Sequence, residues 1–535
     1  MADLIDNAIK NGWNKTILES QTWEQFEKDS AHKQIVIYGV GLGAMLFLKY
    51  YSDRFRVDGA VDSAKYGTHL FEYDFRPGKV YDRTIMIDRS IDISKYNPDH
   101  TVILLTVLKN YMEIYHNLGE SGYRNIYSFL CMEVNKRIET VESVEYPDPR
   151  EDYISYRLQT PTDPNRVFVE TMGGYAGHAR SVAEALQKHN GNLRFTWFND
   201  GNTNYPNIGL KQVRKNTRSY YDALYEAGLW LYEDPVPLEI RKKKDQILIQ
   251  LKHWSGITLK MFGILLEEPL EQKHNTTPGR YRRLFEHNAE ITDCVITGSD
   301  FDEKTVREGY LYSGPFFRAG SPRSDILFDP ERFRASVREQ YGVSSDTKIC
   351  LYVPTFRLDE TGNCRYRDTG INFHALKDSL EKRSEEKWVI MIRLHPRTAK
   401  DTIPVFPGFV IDATDHMDGE ELVAASDAVI TDYSSIMFEP AFVGKPVFLF
   451  APDLEEYLRN ERGFLIPYDE LPFPKADSNE ELINHISGFD KKQYLYDIDT
   501  FLKRYGVHED GHASERAAEF IMKLMRKDGD CSAGG

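Results

Sequence analysis

The 535-residue sequence has only five cysteines, no long apolar run and no internal repeat. The cysteines show no metal-ligand spacing, so we expect reduced thiols in a cytoplasmic protein rather than a disulfide framework. No run of about 18 apolar residues occurs, and we therefore expect no transmembrane helix. The first residues are acidic and lack an apolar centre, unlike a secretory signal. A net charge of −16 argues against broad nucleic-acid binding.

The N-terminal part predicts a small Rossmann-like domain over residues 1–145. A strand at 35–38 leads into a Gly-x-Gly-x-x-Ala turn, and an acidic residue follows the next strand, 18 positions after the alanine. These residues are Gly39, Gly41, Ala44 and Asp62. They predict a pocket for a nucleotide or sugar nucleotide. The same glycines also allow close helix–strand packing, so a domain that only packs or positions partners stays open.

A polar, proline-rich stretch at residues 140–165 predicts a linker. A strand at 166–170 then runs into a glycine-rich loop and a helix to residue 186. The loop contains Gly173, Gly174 and His178.

A second amphipathic helix is predicted over residues 220–232, before a basic cluster at 241–244. We interpret that cluster either as a solvated loop or as a contact for anionic lipid. A strand from residue 247 follows, and if it continues to Ser255, alternation puts His253 and Ser255 on one face. Beyond it, Gly298 and Ser299 end a strand, and Arg323 and Asp325 lie in a turn.

The last third of the chain contains three apolar, strand-like runs that each end in polar side chains. Arg357 follows the first run, Arg393 and His395 end the second, and the third leads into a polar turn and a short helix. The side chains of this last segment are Asp432, Ser434, Ser435 and Glu439. Because parallel strands present ligands at their carboxyl edge, these groups predict one anion-binding edge with hydroxyl and N–H donors.

Thr431-Asp432-Tyr433-Ser434-Ser435 resembles a signature of the CDP-glycerol glycerophosphotransferases, the teichoic acid polymerase family. Four further segments resemble family motifs in the same order, so that the resemblance covers about residues 165–520. They begin at Trp254, Gly320, Tyr352 and Arg393. The resemblance implies an α/β fold with two Rossmann-like domains in a GT-B arrangement, preceded by the small N-terminal Rossmann-like domain. We expect an acceptor-side domain at 146–332, a donor domain with a C-terminal helix at 333–525, and a disordered tail at 526–535.

The resemblance implies transfer of a phosphopolyol, most simply glycerol phosphate, from a CDP-activated donor to a hydroxyl of a teichoic acid-like or capsular polymer, with release of CMP. It makes His395 a catalytic residue and assigns Arg357, Arg393, Asp432, Ser434, Ser435 and Glu439 to the donor. Arg323, Asp325, Gly298 and Ser299 are expected near the donor or the linker, and Gly173, Gly174 and His178 on the acceptor side. The family has a histidine directly after the tryptophan, where this chain has Ser255, so we expect His253 to act as the base.

Two other functions remain open. One is a GT-B glycosyltransferase that uses a nucleotide sugar, and the other is a non-catalytic protein of surface-polymer assembly, consistent with the altered position at Ser255. No resident cofactor is expected and no carboxylate pair suited to Mg²⁺ stands out, so no metal ligands are assigned and dependence on a divalent metal stays open. The expected partners are the CDP-polyol donor, a lipid-linked or oligomeric acceptor and a weak peripheral contact with the inner face of a bacterial plasma membrane.

Overall fold

The computed structural model describes residues 20–107, 110–140, 148–171, 174–199, 209–274, 279–358, 364–395, 398, 408–461 and 463–530. The chain divides into two compact units. The first comprises Met1–Pro161, Asn199–Asn202 and Val213–Glu226, and the second comprises Thr162–Phe198, Thr203–Gln212 and Ala227–Gly535. The domain boundaries expected near residues 145 and 332 stay predictions.

The first unit is built on a five-stranded parallel sheet. Its strands are β1 Gln34–Tyr38, β2 Val57–Asp62, β3 Ile87–Arg89, β4 Thr101–Leu105 and β5 Asn125–Ser128, in the order β3-β2-β1-β4-β5. Its helices are Trp23–Ser30, Leu42–Tyr51, Tyr111–Glu120, Phe129–Thr140, Pro149–Arg157 and Arg218–Glu226. Strand β4 is buried along its whole length, because helices cover both faces of such a sheet.

A second sheet, of seven strands, opens the second unit, and its strands within residues 163–199 and 227–318 pair in parallel. They are β6 Asp163–Glu170, β7 Arg194–Asn199, β8 Lys211–Arg214, β9 Ala227–Tyr232, β10 Ile247–Gln250, β11 Cys294–Thr297 and β12 Phe316–Arg318, in the order β12-β11-β10-β9-β6-β7-β8. Its helices are Gly177–His189, Ile264–His274, Arg280–Ile291, Asp300–Gly309 and the C-terminal helix Ala513–Asp530. The C-terminal helix packs Ala517 and Ile521 into the core beside Val167 and Leu229 of this sheet.

The third sheet, also in the second unit, has six parallel strands. They are β13 Thr347–Val353, β16 Lys387–Ile392, β17 Val410–Asp412, β18 Ala428–Thr431, β19 Val447–Phe450 and β20 Lys475–Ala476, in the order β17-β16-β13-β18-β19-β20, and β14 Arg357–Leu358 pairs with β15 Cys364–Arg365 in a separate ribbon. The helices are Glu331–Tyr341, Phe373–Ser384, Gly419–Ala425, Phe438–Phe442, Leu454–Asn460, Asn479–Ser487 and Lys491–Arg504. The buried Ile257 and Leu259, which follow β10, share a core with Val429 and Met437 of this part.

The structure confirms the strands predicted at the motifs and corrects three other assignments. The helix predicted over 220–232 ends at Glu226, and Ala227–Tyr232 is strand β9, buried throughout because it lies between β10 and β6. The proposed linker contains the helix Pro149–Arg157, whose N-terminus is capped by Asp148 with proline in the tolerated first turn. The C-terminal helix continues to Asp530, into the segment expected to be disordered, and 531–535 lie outside the described residues.

Strand β10 is shorter than the sequence argument about His253 requires. It ends at Gln250, and Lys252 has a φ of 52°, in the left-handed region. The chain therefore turns before His253, so the prediction that His253 and Ser255 share a strand face is wrong. Within the described residues, no helix has both the length and the apolar character needed to cross a bilayer.

Candidate functional site

Buried and half-buried charged side chains lie where the carboxyl ends of the two sheets of the second unit meet. Each follows a strand or begins a helix at that edge, the position at which open α/β sheets bind ligands. We call this group the charged cluster; it consists of Arg180, Glu233, Arg323, Arg393, Asp418, Glu420, Glu421 and Glu439. The sequence analysis named only Arg323, Arg393 and Glu439 among them.

Arg323 is the centre of the cluster. Nε and Nη2 of its guanidinium both donate to one oxygen of Glu420, Oε1, with Nε at 2.6 Å, and Nη1 donates to the carbonyl oxygen of His253 at 2.6 Å. Burial alone would raise the pKa of Glu420, but the adjacent Arg323 and a hydrogen bond to Asp418 hold it below its ordinary value. The pair joins the turn after β12 to the start of the helix Gly419–Ala425.

Arg180 makes a second connection to the start of the helix Gly419–Ala425, in this case from the helix Gly177–His189. Its Nη1 lies 3.0 Å from Asp418 and 2.6 Å from Glu421, and its guanidinium stacks over the ring of Tyr175. Burial and the neighbouring Glu420 raise the pKa of Asp418. Residue 180 stands one turn into the helix Gly177–His189, at the site predicted for the acceptor.

His178 is buried and held by two backbone groups. Its Nδ1 accepts from the Arg323 N–H at 3.3 Å, so Nε2 carries the proton and donates to the carbonyl oxygen of Trp254 at 2.9 Å. Burial, Lys252 and Arg323 lower the pKa of His178, which keeps the ring neutral. Gly174, in the predicted acceptor loop, has a φ of 79° and accepts from Thr171 Oγ1 at 2.6 Å, whereas Gly173 lies outside the described residues.

Ser255 and Glu439 form a direct hydrogen bond inside the cluster. Ser255 Oγ donates to Glu439 Oε1 at 2.7 Å, and both residues are buried. The expectation that Glu439 binds the donor assumed that both carboxylate oxygens were available, whereas one of them accepts a hydrogen bond from Ser255.

His253 lies nearer the surface than its neighbours. Its side chain is 32% exposed, and its Nδ1 lies 3.9 Å from Asp234 Oδ1, a residue that follows β9. The neighbouring strand ends thus place a carboxylate near the imidazole, at a distance longer than a hydrogen bond.

Arg357 forms ion pairs with two carboxylates, those of Asp432 and Asp453. The Arg357 guanidinium contacts Asp432 at 3.2 Å and Asp453 at 2.9 Å, and Nη1 donates to the Thr355 carbonyl at 2.6 Å. Asp432 Oδ1 accepts from the N–H and hydroxyl of Thr355. The geometry therefore gives both predicted donor-binding residues a structural role, because their hydrogen-bonding atoms are already used to hold the turn after β18.

Ser434 and Ser435 have separate local roles. Ser434 caps the short 3₁₀ turn Ser435–Met437, with its side chain accepting from the Ile436 N–H. Ser435 Oγ lies 2.8 Å from Thr258 Oγ1 and accepts from the Leu259 N–H at 3.1 Å. It thus joins the loop after β10 to the turn after β18.

Arg393 and His395 follow β16, which is separated from β18 only by β13. Since adjacent strands lie about 4.8 Å apart, the ends of β16 and β18 are about 10 Å apart across the edge. The His395 ring packs against Phe356, and Arg393 Nη2 approaches the carbonyls of His416 and Met417 only at 3.4 Å. Burial and the nearby Arg323 lower the pKa of Arg393.

The remaining predicted contacts of this unit support backbone turns. Asp325 accepts from the N–H groups of Ala513 and Ser514, at 3.0 and 2.7 Å, at the start of the C-terminal helix. Ser299 caps the helix Asp300–Gly309. A Cβ on Gly298 would lie 2.6 Å from Gly256 Cα, so this position needs glycine for the close approach of the two chain segments.

In the first unit, the predicted nucleotide pattern is satisfied internally. Asp62 Oδ2 accepts from the Val40 N–H at 2.6 Å, and its Oδ1 accepts from the N–H groups of Ala64 and Lys65. Gly39 has a φ of 90°, Gly41 precedes the helix Leu42–Tyr51 and Ala44 is buried in it. The acid expected to bind ribose thus holds the glycine turn, which favours the packing interpretation of this domain.

Two further features lie outside the predicted site. A cavity of about 930 Å³ opens after β19, and its lining includes Arg367, Asp453 and Asp477. The described lining residues include none of the predicted donor residues, although Arg357 contacts the lining residue Asp453. An exposed group of three side chains offers atoms of the kinds that bind metal ions, and these atoms lie within 4.8 Å of one another. The residues are His189, Glu515 and Glu519.

Sequence reasoning missed five residues of the cluster: Arg180, Glu233, Asp418, Glu420 and Glu421. Glu233 is buried, and burial raises its pKa to about 8. A usable signal existed: Glu233 and Asp234 directly follow the apolar run of β9, but that run was assigned to a helix. Glu420 gave no such signal, since its partner is 97 residues away.

Residues 153–523 match the sequence model of the family described as CDP-Glycerol:Poly(glycerophosphate) glycerophosphotransferase. The chain therefore belongs to this family.

Three relatives illustrate the likeness. The teichoic acid poly(glycerol phosphate) polymerase of Staphylococcus epidermidis is 28% identical over 417 residues, which are 75% of this chain and 57% of that protein. The polymerase of the same name from Bacillus subtilis is 25% identical over 68% of this chain and 49% of its own length. The chain thus spans about half the length of these two relatives. A structure of the wall teichoic acid polymerase TagF, as a histidine-to-asparagine variant soaked with CDPG, superposes with a TM-score of 0.59 at 25% identity, covering 74% of this chain and 96% of that one.

The arrangement of Arg357 predicts a structural phenotype. Arg357→Lys should lower the free energy of unfolding by about 3 kcal/mol or more, because lysine cannot pair with both buried carboxylates. Thermal and denaturant unfolding measure the change. The control is Arg367→Lys, whose ion pair with Glu456 is exposed and should contribute less than about 1 kcal/mol. Equal effects of the two substitutions would contradict the assignment.

Proposed function

We propose that this chain transfers a phosphopolyol, with glycerol phosphate as the leading candidate, from a CDP-activated donor to a hydroxyl of a growing teichoic acid-like or capsular polymer, with release of CMP. The observation that carries the proposal is membership of the glycerophosphotransferase family over residues 153–523. The names of the relatives, which specify poly(glycerol phosphate), and the CDPG soak of TagF support the choice of unit and donor.

The proposed architecture is a GT-B arrangement with an acceptor-side domain at 146–332, a donor domain at 333–525 and an accessory domain at 1–145. Two parallel sheets within one compact unit, with the carboxyl ends of both facing the charged cluster, support it. In this arrangement the acceptor enters from the side of His178 and His253, and the donor binds after β16 and β18.

Charge on the leaving phosphate is the main chemical demand of this reaction. Phosphoryl transfer proceeds with little bonding to the nucleophile, and catalysis depends on cations and N–H donors placed around the phosphate oxygens. We assign these contacts to Arg393, His395 and the Ser434 turn. Arg357 and Asp432 act one step removed, by holding that turn. His253 remains the sequence-based candidate for the base.

Ser255 favours one alternative, a member of the family that binds the donor without turning it over. The family's usual histidine is absent at this position, and a serine hydroxyl is a poor base. Turnover measured together with binding separates this alternative from the enzyme.

A donor screen tests the proposal. The purified chain should release CMP from CDP-glycerol in the presence of a polymer acceptor, and less from CDP-ribitol, with mass spectrometry as the readout. Release of nucleotide from nucleotide sugars alone would indicate a glycosyltransferase. Donor binding in calorimetry without release from any donor would indicate the non-catalytic alternative.

His395 should matter for rate rather than for stability. His395→Ala removes a half-buried ring that contacts Phe356, so unfolding should change little, while turnover should fall about 100- to 1,000-fold through loss of a phosphate donor. His374→Ala, on a helix of the same sheet where the ring contacts Phe409, is the matched control and should retain turnover. Unchanged turnover in His395→Ala would remove this residue from the site.

We also propose a weak peripheral contact with anionic membrane. Within the predicted basic cluster, Lys243 is buried, whereas Arg241 and Lys244 are exposed. The contact is therefore assigned to Arg241 and Lys244 on the basis of their exposure. In flotation with anionic liposomes, Arg241→Gln/Lys244→Gln should reduce bound protein, and salt should reduce binding of the unsubstituted chain, since each basic residue contributes about 1 kcal/mol. Flotation that does not change in the double variant would reject this surface.

A further inference from the structure

One carboxylate of the charged cluster has an unused oxygen. Glu439 is 3% exposed, and its Oε1 accepts from Ser255 Oγ at 2.7 Å. Its Oε2 is buried and, among the described residues, has no hydrogen-bond partner. Such an atom is costly to bury unless water or a ligand completes it. The Ser255 bond fixes the plane of the carboxylate and thereby the direction in which Oε2 offers its lone pairs.

The position of this oxygen is where two substrates would have to meet. Glu439 follows β18 and the Ser434 turn, on the side proposed for the donor, while Ser255 follows β10, on the side proposed for the acceptor. The hydrogen bond between them therefore spans the two carboxyl edges. A hydroxyl from one side and an activated phosphate from the other come within bonding distance only at such a junction.

The charges around Glu439 come from each element packed against its helix. The turn Pro322–Leu327 contributes Arg323, whose Nε is 4.0 Å from Oε1, while Asp325 of that turn points to the C-terminal helix. The helix Gly419–Ala425 contributes Glu420, which holds Arg323, and Glu421 faces Arg180 instead. The 3₁₀ turn Ser435–Met437 adds no charge.

These neighbours act on Glu439 in opposite directions. Burial raises its pKa, Arg323 lowers it, Glu420 raises it and the Ser255 hydrogen bond lowers it, and the result lies above the ordinary value for glutamate. A carboxylate shifted in this way matches the needs of a general base near neutral pH better than an exposed one does.

We propose that Glu439 is the general base of the transfer reaction, that its Oε2 takes the proton of the acceptor hydroxyl, and that Ser255 positions it. This inference rests on the proposed function. As the proton moves to Oε2, the acceptor oxygen bonds to the phosphorus that carries the polyol. The bond from that phosphorus to the bridging oxygen breaks, and its electron pair leaves with CMP. Glu439 then releases the proton to solvent.

Glu439 fits this role better than His253 does. The imidazole Nδ1 of His253 lies 3.9 Å from Asp234, which follows β9, and the backbone carbonyl of His253 accepts from Arg323. Glu439 instead takes part in the hydrogen bond that joins the two edges, and at 3% exposure its carboxylate carries little hydration for proton transfer to displace.

The test is the pH dependence of CMP release from CDP-glycerol. The unsubstituted chain should lose activity as the pH falls and Glu439 becomes protonated. We call this falling part of the pH profile the acid limb. Glu439→Gln should lower turnover about 100- to 10,000-fold while CDP-glycerol affinity, measured by calorimetry, changes less than about threefold, and its residual activity should lack the acid limb. Ser255→Ala should stay folded and shift the acid limb to higher pH, because it removes a hydrogen bond that lowers the pKa of Glu439.

Glu509→Gln is the matched control. Glu509 is half-buried and also bonded to a serine, but both its oxygens are used by Ser321, through the hydroxyl at 2.5 Å and the N–H at 2.9 Å. The Glu509→Gln variant should therefore show the acid limb at the same pH as the unsubstituted chain. Near-normal turnover in Glu439→Gln, or an acid limb that stays in it and disappears in His253→Ala, would overturn the inference.

If Glu439→Gln does not fold, the Ser255→Ala variant decides the test. An acid limb that does not shift in Ser255→Ala would likewise overturn the inference. Absence of CMP release by the unsubstituted chain from every donor would instead overturn the proposed function, and the inference with it.

Discussion

The buried ion pair between Arg323 and Glu420 is the interaction on which the rest of the site depends. Removing either partner would leave an uncompensated charge in the interior, which typically costs several kcal/mol. The same guanidinium fixes the His253 carbonyl, and the Arg323 N–H fixes the tautomer of His178. Arg323 thus connects its own turn after β12 to the segments that follow β6, β10 and β17. Because such a pair contributes little net stability, its value lies in specifying how the two sheet edges face each other.

Much of the fold followed from the sequence, because apolar runs bounded by polar turns decide where parallel strands lie. The edge after β13, β16 and β18 was predicted in this way. Where the prediction failed, at β9, the periodicity of the local sequence was ambiguous. The Leu-Trp-Leu-Tyr segment of β9 fits helix or strand equally well by periodicity, and only its place between β10 and β6 decides the matter.

The side-chain partners were the least predictable part of the site. Arg357 and Asp432 occur in the expected motif, but Asp453, 96 residues from Arg357, uses the donors assigned to the substrate. Asp62 likewise stabilises its own turn rather than facing a ribose. A motif gives the residue type and the strand end. Whether its polar atoms face a ligand depends on distant residues that compete for them, and no pattern in the local sequence records that competition.

The contrast between Arg357 and Arg393 shows what this competition leaves for a substrate. Both follow strands at the same edge, and both are drawn from water. Arg357 is enclosed by two carboxylates and two aromatic rings, so an incoming phosphate would have to displace a stronger partner. Arg393 Nη2 approaches two carbonyls at 3.4 Å, and its buried Nε has no partner among the described residues. Burial and Arg323 oppose its charge, whereas Glu420 and Asp418 favour it. In the proposed reaction, an anionic phosphate would relieve the burial penalty rather than add to it, and for this reason we propose Arg393 as the cation that binds the donor.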